Sequence, residues 1–230
     1  MSNTSDSDFI REVDEAVRQE ALKKVWDRYG MVVLLGAFLI VAGVAGYKGW
    51  TYWKHKQASE TGARFTGAMT LVEEGNEADA MAAFKELAAD GPAGYRLLSR
   101  FQIAALTAKG GKVDEAIRIY DEIAASGAGG QPLLGDVARI RAAMLLTDTA
   151  SLEEMKRRIG ALAEGDHPLR NSARELLGLT AYRLANMEEA EKYFTAALVD
   201  PGIPQTMRQR IEKVLALVVK ADEAPAKGKS

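Results

Sequence analysis

Hydrophobic and polar positions follow two different regimes along this chain. Between Arg28 and Lys48 no residue is charged and nearly all are apolar, from Tyr29-Gly-Met-Val-Val-Leu-Leu through Gly-Ala-Phe-Leu-Ile-Val-Ala to Gly43-Val44-Ala45-Gly-Tyr47. A helix rises about 1.5 Å per residue, so roughly 20 residues cross a hydrocarbon core of about 30 Å. A core helix of a soluble protein keeps polar positions on one face, and this run keeps none. Gly43-Val44-Ala45 could pass as a cleavage site, but the segment before the run is 28 residues long and carries Asp6, Asp8, Glu12, Asp14, Glu15, Glu20 and Asp27. A signal peptide has a short basic start and a shorter apolar stretch. The pattern therefore predicts an uncleaved membrane helix over residues 29–49. Beyond about Glu60 the regime changes: alanine and leucine recur every three or four residues, with Gly-rich breaks near 75, 91–94, 110–111, 127–130, 165 and 200–202. This spacing predicts pairs of helices and no strands.

The flanks of the apolar run refine its reading. Ser7 or Asp8 can cap a helix whose apolar positions Ile10, Val13, Val17, Ala21 and Val25 fall near helical spacing. Residues 1–28 then form an N-terminal tail whose helix either lies on a membrane surface or against a partner, or continues the membrane helix into solvent. Trp26 and Tyr29 mark one end of the run and Trp50, Tyr52 and Trp53 the other, with Lys48, Lys54 and Lys56 among them. Aromatic rings favour the headgroup level and lysines snorkel there. Arg11, Arg18, Lys23, Lys24 and Arg28 precede the span, against Lys48, Lys54, Lys56 and Arg64 after it. That small excess points to a cytoplasmic N-terminus. Ala42-x-x-x-Gly46 and Ala45-x-x-x-Gly49 place small residues one turn apart, which suits close packing of another membrane helix, although glycine is also common in membrane helices generally. Residues 50–59 read as a juxtamembrane linker, and 221–230 as a disordered tail without periodicity.

Composition narrows the chemistry. The formal net charge is −2, there is no cysteine, and the two histidines, His55 and His167, lie far apart. No nucleic-acid footprint appears, and thiol or cysteine-metal chemistry is excluded. The paired acids Glu73-Glu74, Glu153-Glu154 and Glu188-Glu189 are adjacent on helices, so their side chains diverge instead of facing one substrate. No phosphate loop, nucleophile elbow or metal-ligand spacing occurs. The expectation is a non-enzymatic protein with no cofactor, no metal and no small-molecule substrate.

Three segments superimpose. Gly75 is followed by Ala80, Phe84 and Leu87; Gly111 by Ala116, Tyr120 and Ile123; Ala185 by Ala190, Phe194 and Ala197. The alanines are 36 and then 74 residues apart, which leaves room for a degenerate unit over Ser151–Pro168 that lacks the Ala/aromatic pair. This pattern resembles the tetratricopeptide repeat, a helix–turn–helix of 34 residues. The last unit also carries Leu177-Gly178 and Ala181 on its first helix. The expected fold is all-α: an N-terminal transmembrane helix, then a tetratricopeptide-like solenoid of helical hairpins over 60–220, closed by a capping helix over 204–220. The repeat core is expected at Ala80, Phe84, Ala116, Tyr120, Gly178, Ala190 and Phe194. Such arrays present a concave protein-binding groove. Arg100, Thr107, Arg141, Arg174 and Arg183 are candidates to line it, the alternative for each being a solvated face.

The whole layout resembles the ancillary subunit of the bacterial Sec translocon, a family whose repeat domain is shared with a cell-division coordinator. The resemblance is carried by Val13-Asp-Glu-Ala-Val-Arg18, Trp26-Asp-Arg-Tyr-Gly30, the apolar run, Gly49-Trp50-Thr-Tyr52-Trp53, Gly94-Tyr95-Arg-Leu-Leu-Ser99 and the repeat at 173–201. It implies a single-pass protein of the bacterial inner membrane with its N-terminus cytoplasmic and its repeat domain periplasmic. Translocon subunits, periplasmic chaperones and unfolded secreted chains are the implied partners. An envelope regulator binding a cytoplasmic signalling or division partner through residues 1–28 is the alternative. The degenerate third unit departs from the family pattern.

Overall fold

The computed structural model describes residues 4–223, with the side chains of residue 23 and of most residues from 26 to 219. Among the described residues there are nine α-helices and two short 3₁₀ turns, and no strand. The chain divides into two compact units, residues 1–59 and 60–230.

The first unit is helix. Its described residues belong to α1, Thr4–Glu73, so the helix begins before the Ser7 or Asp8 cap expected from the sequence, and residues 50–59, expected to be a linker, are helical. Its apolar stretch is bare: Met31, Phe38 and Ile40 are 78%, 70% and 69% exposed. A soluble monomer rarely leaves a contiguous apolar surface larger than a few hundred Å² in water. This helix is long and apolar enough to cross a membrane.

The second unit is a row of hairpins. The end of α1 pairs with α2 (Glu77–Asp90), α3 (Ala93–Lys109) with α4 (Val113–Ala125), α5 (Pro132–Leu146) with α6 (Leu152–Ile159), and α7 (Arg170–Arg183) with α8 (Met187–Leu198). Helix α9 (Gln205–Glu223) closes the row against α8. It extends three residues into the stretch expected to be a disordered tail; residues 224–230 lie outside the described part.

Three of the hairpin turns are copies of one another. Gly75, Gly111 and Ala185 have φ of 79°, 82° and 56°. In each turn the N–H of that residue donates to the carbonyl three back, and the next N–H to the carbonyl five back: Gly75 to Val72 and Asn76 to Leu71, Gly111 to Ala108 and Lys112 to Thr107, Ala185 to Tyr182 and Asn186 to Ala181. This double bond satisfies the orphan carbonyls at a helix end and needs a left-handed residue, normally glycine. The second helix then starts with acids in its first turn, Glu77 and Asp79, Asp114 and Glu115, Glu188 and Glu189. There the exposed N–H groups and the helix dipole favour negative charge.

Packing follows the same register. Ala80, Ala116 and Ala190 are fully buried four residues after the start of the turn's cap, and Phe84, Tyr120 and Phe194 are buried four further on. Sixteen residues before each aromatic stands another buried small residue, Ala68, Ala104 and Gly178. At Gly178 a Cβ would lie 2.6 Å from the Phe194 ring, so hydrogen is the largest substituent the ring allows. The third hairpin keeps the register with other residues: Met155 and Ile159 are fully buried where the others have alanine and an aromatic. Its second helix stops at Ile159 and gives way to a 3₁₀ turn, Gly160–Ala163. A larger residue at the crossing point is accommodated by a helix of only eight residues.

Candidate functional site

An arginine recurs at one position of every first helix. Arg64, Arg100, Arg139 and Arg174 each stand four residues before the buried small residue of that helix, Ala68, Ala104, Ala143 and Gly178. Arg64 reaches Glu86 at 3.0 Å and Arg100 reaches Glu122 at 2.9 Å, both across their own hairpin. Arg139 instead bonds Asp136 on its own helix at 2.7 Å. Arg174 goes deepest. Its Nε donates to the Ala163 carbonyl at 2.9 Å, and its Nη1 to the Ala196 carbonyl and to Asp200, both at 3.1 Å.

The five expected groove residues therefore divide. Arg141 is exposed, and its charge partly offsets the burial that raises the Tyr120 hydroxyl above its ordinary pKa. Arg100 is half-buried and paired. Arg174, half-buried, and Arg183, exposed, are both committed to backbone carbonyls: Arg183 donates to the Thr147 carbonyl at 2.9 Å and to the Ala150 carbonyl, closing the end of α5. Thr107 is buried, with its hydroxyl donating to the Ile103 carbonyl of its own helix at 2.7 Å. For Thr107, Arg174 and Arg183 these bonds add a structural role to the groove expectation: the two guanidiniums satisfy carbonyls at the ends of elements, and the Thr107 hydroxyl adds a bond to a carbonyl inside its own helix.

Ionic ties concentrate at the C-terminal end of the row. Asp200, almost out of water, receives Arg170 through Nε and through Nη2 (2.8 Å), Arg174 Nη1, and the Gly202 N–H at 2.8 Å. The Arg170 hydrogen bonds, against the opposing effect of desolvation, hold its carboxyl well below the usual carboxylate range. Glu175 on α7 takes Arg210 of α9 in a two-pronged pair, with Nη2 to Oε2 at 2.8 Å. Glu189 lies between Lys156 of α6 at 3.2 Å and Lys192 at 3.4 Å. Burial raises its pKa, but the two ammoniums more than offset this and hold it low. The long-range ion pairs were not legible in the sequence, because their partners stand 26 to 35 residues apart; only Gly202 and Lys192 lie within three residues of theirs. The small residues Ala68 and Ala104 had a signal, their fixed distance before the aromatic.

In the N-terminal unit, Trp26, Tyr29, Trp50, Tyr52 and Trp53 are all more than half exposed. Trp50 and Trp53 have ring centroids 5.8 Å apart, and Lys54 sits 5.4 Å over the Trp50 ring. Ala42, Ala45, Gly46 and Gly49 are exposed, and nothing lies within 4 Å of a Cβ built on Gly46 or Gly49.

A stack of helical hairpins with repeated turns, small crossing residues and satisfied polar groups defines a protein-interaction scaffold. The sequence matches the tetratricopeptide repeat-like domain family over residues 23–216, and the chain belongs to that family. Domains of this kind are in general non-catalytic modules that bind other proteins. No curated protein and no solved structure matches the chain.

Proposed function

We propose that the protein is a single-pass adaptor of the bacterial inner membrane, seated at the Sec translocon. Its N-terminus is cytoplasmic, and its repeat domain is periplasmic and receives secreted chains or chaperones. The observation that carries this reading is the extent of the family match. It begins at residue 23, before the apolar run, and ends at residue 216, so the family's sequence pattern takes in the candidate membrane helix as well as the hairpins. An interaction scaffold tethered to a membrane acts on partners held at that membrane. The belt of Trp50, Tyr52 and Trp53 with Lys48, Lys54 and Lys56 suits the headgroup level on the side of the repeat domain.

Two measurements test this. Protease added outside spheroplasts digests the chain beyond about residue 55; protection of the repeat domain until the inner membrane is lysed refutes the topology. Photocrosslinkers placed at Arg141 and Val199, both exposed, yield adducts with channel subunits or periplasmic chaperones. Adducts confined to a crosslinker in residues 1–28 refute the translocon reading in favour of an envelope regulator.

A further inference from the structure

The stretch of α1 just past the apolar run gathers hydrogen-bond donors on one face. Trp50, Trp53 and Lys54 stand three and four residues apart, so they share one side of the helix. Their groups lie together: the Trp50 and Trp53 rings have centroids 5.8 Å apart, and Lys54 Nζ is 5.4 Å from the centre of the Trp50 ring. All three side chains are exposed. An indole offers one N–H and an ammonium three, and neither group accepts a hydrogen bond. No acid occurs between Asp27 and Glu60. Glu60 stands six residues beyond Lys54, about 9 Å along the axis. The face also has a defined depth. The run from Tyr29 to Tyr47 rises about 28 Å, close to the thickness of a hydrocarbon core. Trp50 follows about 5 Å further on, in the headgroup layer. Helical side chains lean toward the N-terminus, and the Lys54 ammonium over the Trp50 ring lies back at that level.

We propose that Trp50, Trp53 and Lys54 form a binding site for a phospholipid whose headgroup carries a phosphate and no cation of its own, such as phosphatidylglycerol. The phosphate oxygens accept from the ammonium and from the indole N–H groups, the donors this face presents. A choline or ethanolamine headgroup brings its own cation, whose favoured seat is an aromatic face. Lys54 already occupies that seat on Trp50 and repels a second cation. The other end of the run has no such selectivity, because Asp27 stands between Trp26 and Arg28. The site rests on α1 crossing the membrane, not on the translocon assignment or on topology.

The three tryptophans of the chain, Trp26, Trp50 and Trp53, flank the run, so Trp26→Phe leaves an emission that reports this site alone. The full chain with that change is placed in phosphatidylcholine vesicles with increasing phosphatidylglycerol brominated high in its acyl chains. Quenching of the tryptophans then gives the association of one lipid relative to the other. Phosphatidylglycerol is favoured over phosphatidylcholine by about fivefold, and phosphatidylethanolamine is not favoured. Lys54→Gln brings the ratio close to one. Lys48→Gln makes the same change of charge two residues from Trp50, on a different face, and lowers the ratio much less. Equal losses from the two lysines reduce the effect to general surface charge and overturn the site. So does the absence of a preference. A preference abolished by soluble glycerophosphate at matched ionic strength makes a free phosphate the ligand and overturns the lipid. Quenching by brominated phosphatidylcholine without preference for phosphatidylglycerol refutes the lipid site alone, whereas no quenching by either lipid removes α1 from the bilayer and refutes the membrane reading with it.

Discussion

Replacing Gly178 by alanine sets two effects of opposite sign against each other. Gly178 is inside α7, where alanine is intrinsically better by about 1 kcal/mol. Against this, the new methyl would stand 2.6, 2.8 and 2.9 Å from three atoms of the Phe194 ring. Carbon atoms make favourable contact at about 3.5–4.0 Å, so the ring or the helix must move by most of an ångström. The ring has no exposed edge to swing toward, since Phe194, Ala190 and Ala197 are all fully buried in one cluster with Leu177. Overpacking of this kind costs about 1–3 kcal/mol. The net expectation is a loss of about 1 kcal/mol, rising to about 2 if the ring cannot tip. For a unit of this size that is a fall in Tm of about 2–4 °C per kcal/mol. Thermal unfolding followed by circular dichroism, on the full chain in nanodiscs, reads it. Phe194→Leu in the same chain should relieve the clash, so the double variant loses less than the sum of the singles, with a coupling of about 0.5–3 kcal/mol. A stabilised Gly178→Ala protein, or strict additivity with Phe194→Leu, refutes the close approach of α7 and α8.

Three further outcomes are expected. Phe194→Ala empties a fully buried site and costs about 3–5 kcal/mol; hydrogen exchange should show lost protection over roughly residues 170–220 with the hairpins near 60–125 spared, as a nearest-neighbour array requires, and uniform loss would contradict the stack. Ala185→Gly places glycine where φ is 56° and should stabilise by about 0.5–1 kcal/mol in denaturant melts, the relief of left-handed strain exceeding the added unfolded-state entropy; a destabilised variant would sink the turn geometry. Because the folded Asp200 carboxyl is held below its unfolded value, its contribution is whole above about pH 4 and lost as pH falls from there toward the folded pKa. Asp200→Asn should flatten the acid side of the stability–pH curve, and an unchanged acid limb would show that the Arg170 pairing contributes nothing.

Much of the architecture was written in adjacent residues. The uncharged run after Arg28, the left-handed glycines at 75 and 111, and the Ala-x-x-x-aromatic pairs at 80/84, 116/120 and 190/194 are legible because each depends on local backbone preference or on one helical face. Even the third hairpin, which has no such pair, was located by the repeat distance. What it would do there was not legible: Met155 and Ile159 hold the register while the helix ends early and a cleft opens beside α8, a result of neighbouring volumes that no single segment encodes. The same holds for the arginines. Arg100, Arg141, Arg174 and Arg183 look alike along the chain, yet Arg100 pairs across its hairpin, Arg141 stands exposed, and Arg174 and Arg183 are committed to carbonyls 11 to 36 residues away. A backbone turn is decided within a few residues of itself, but a long charged side chain is decided by whichever orphaned carbonyl or carboxylate the tertiary fold brings within its reach.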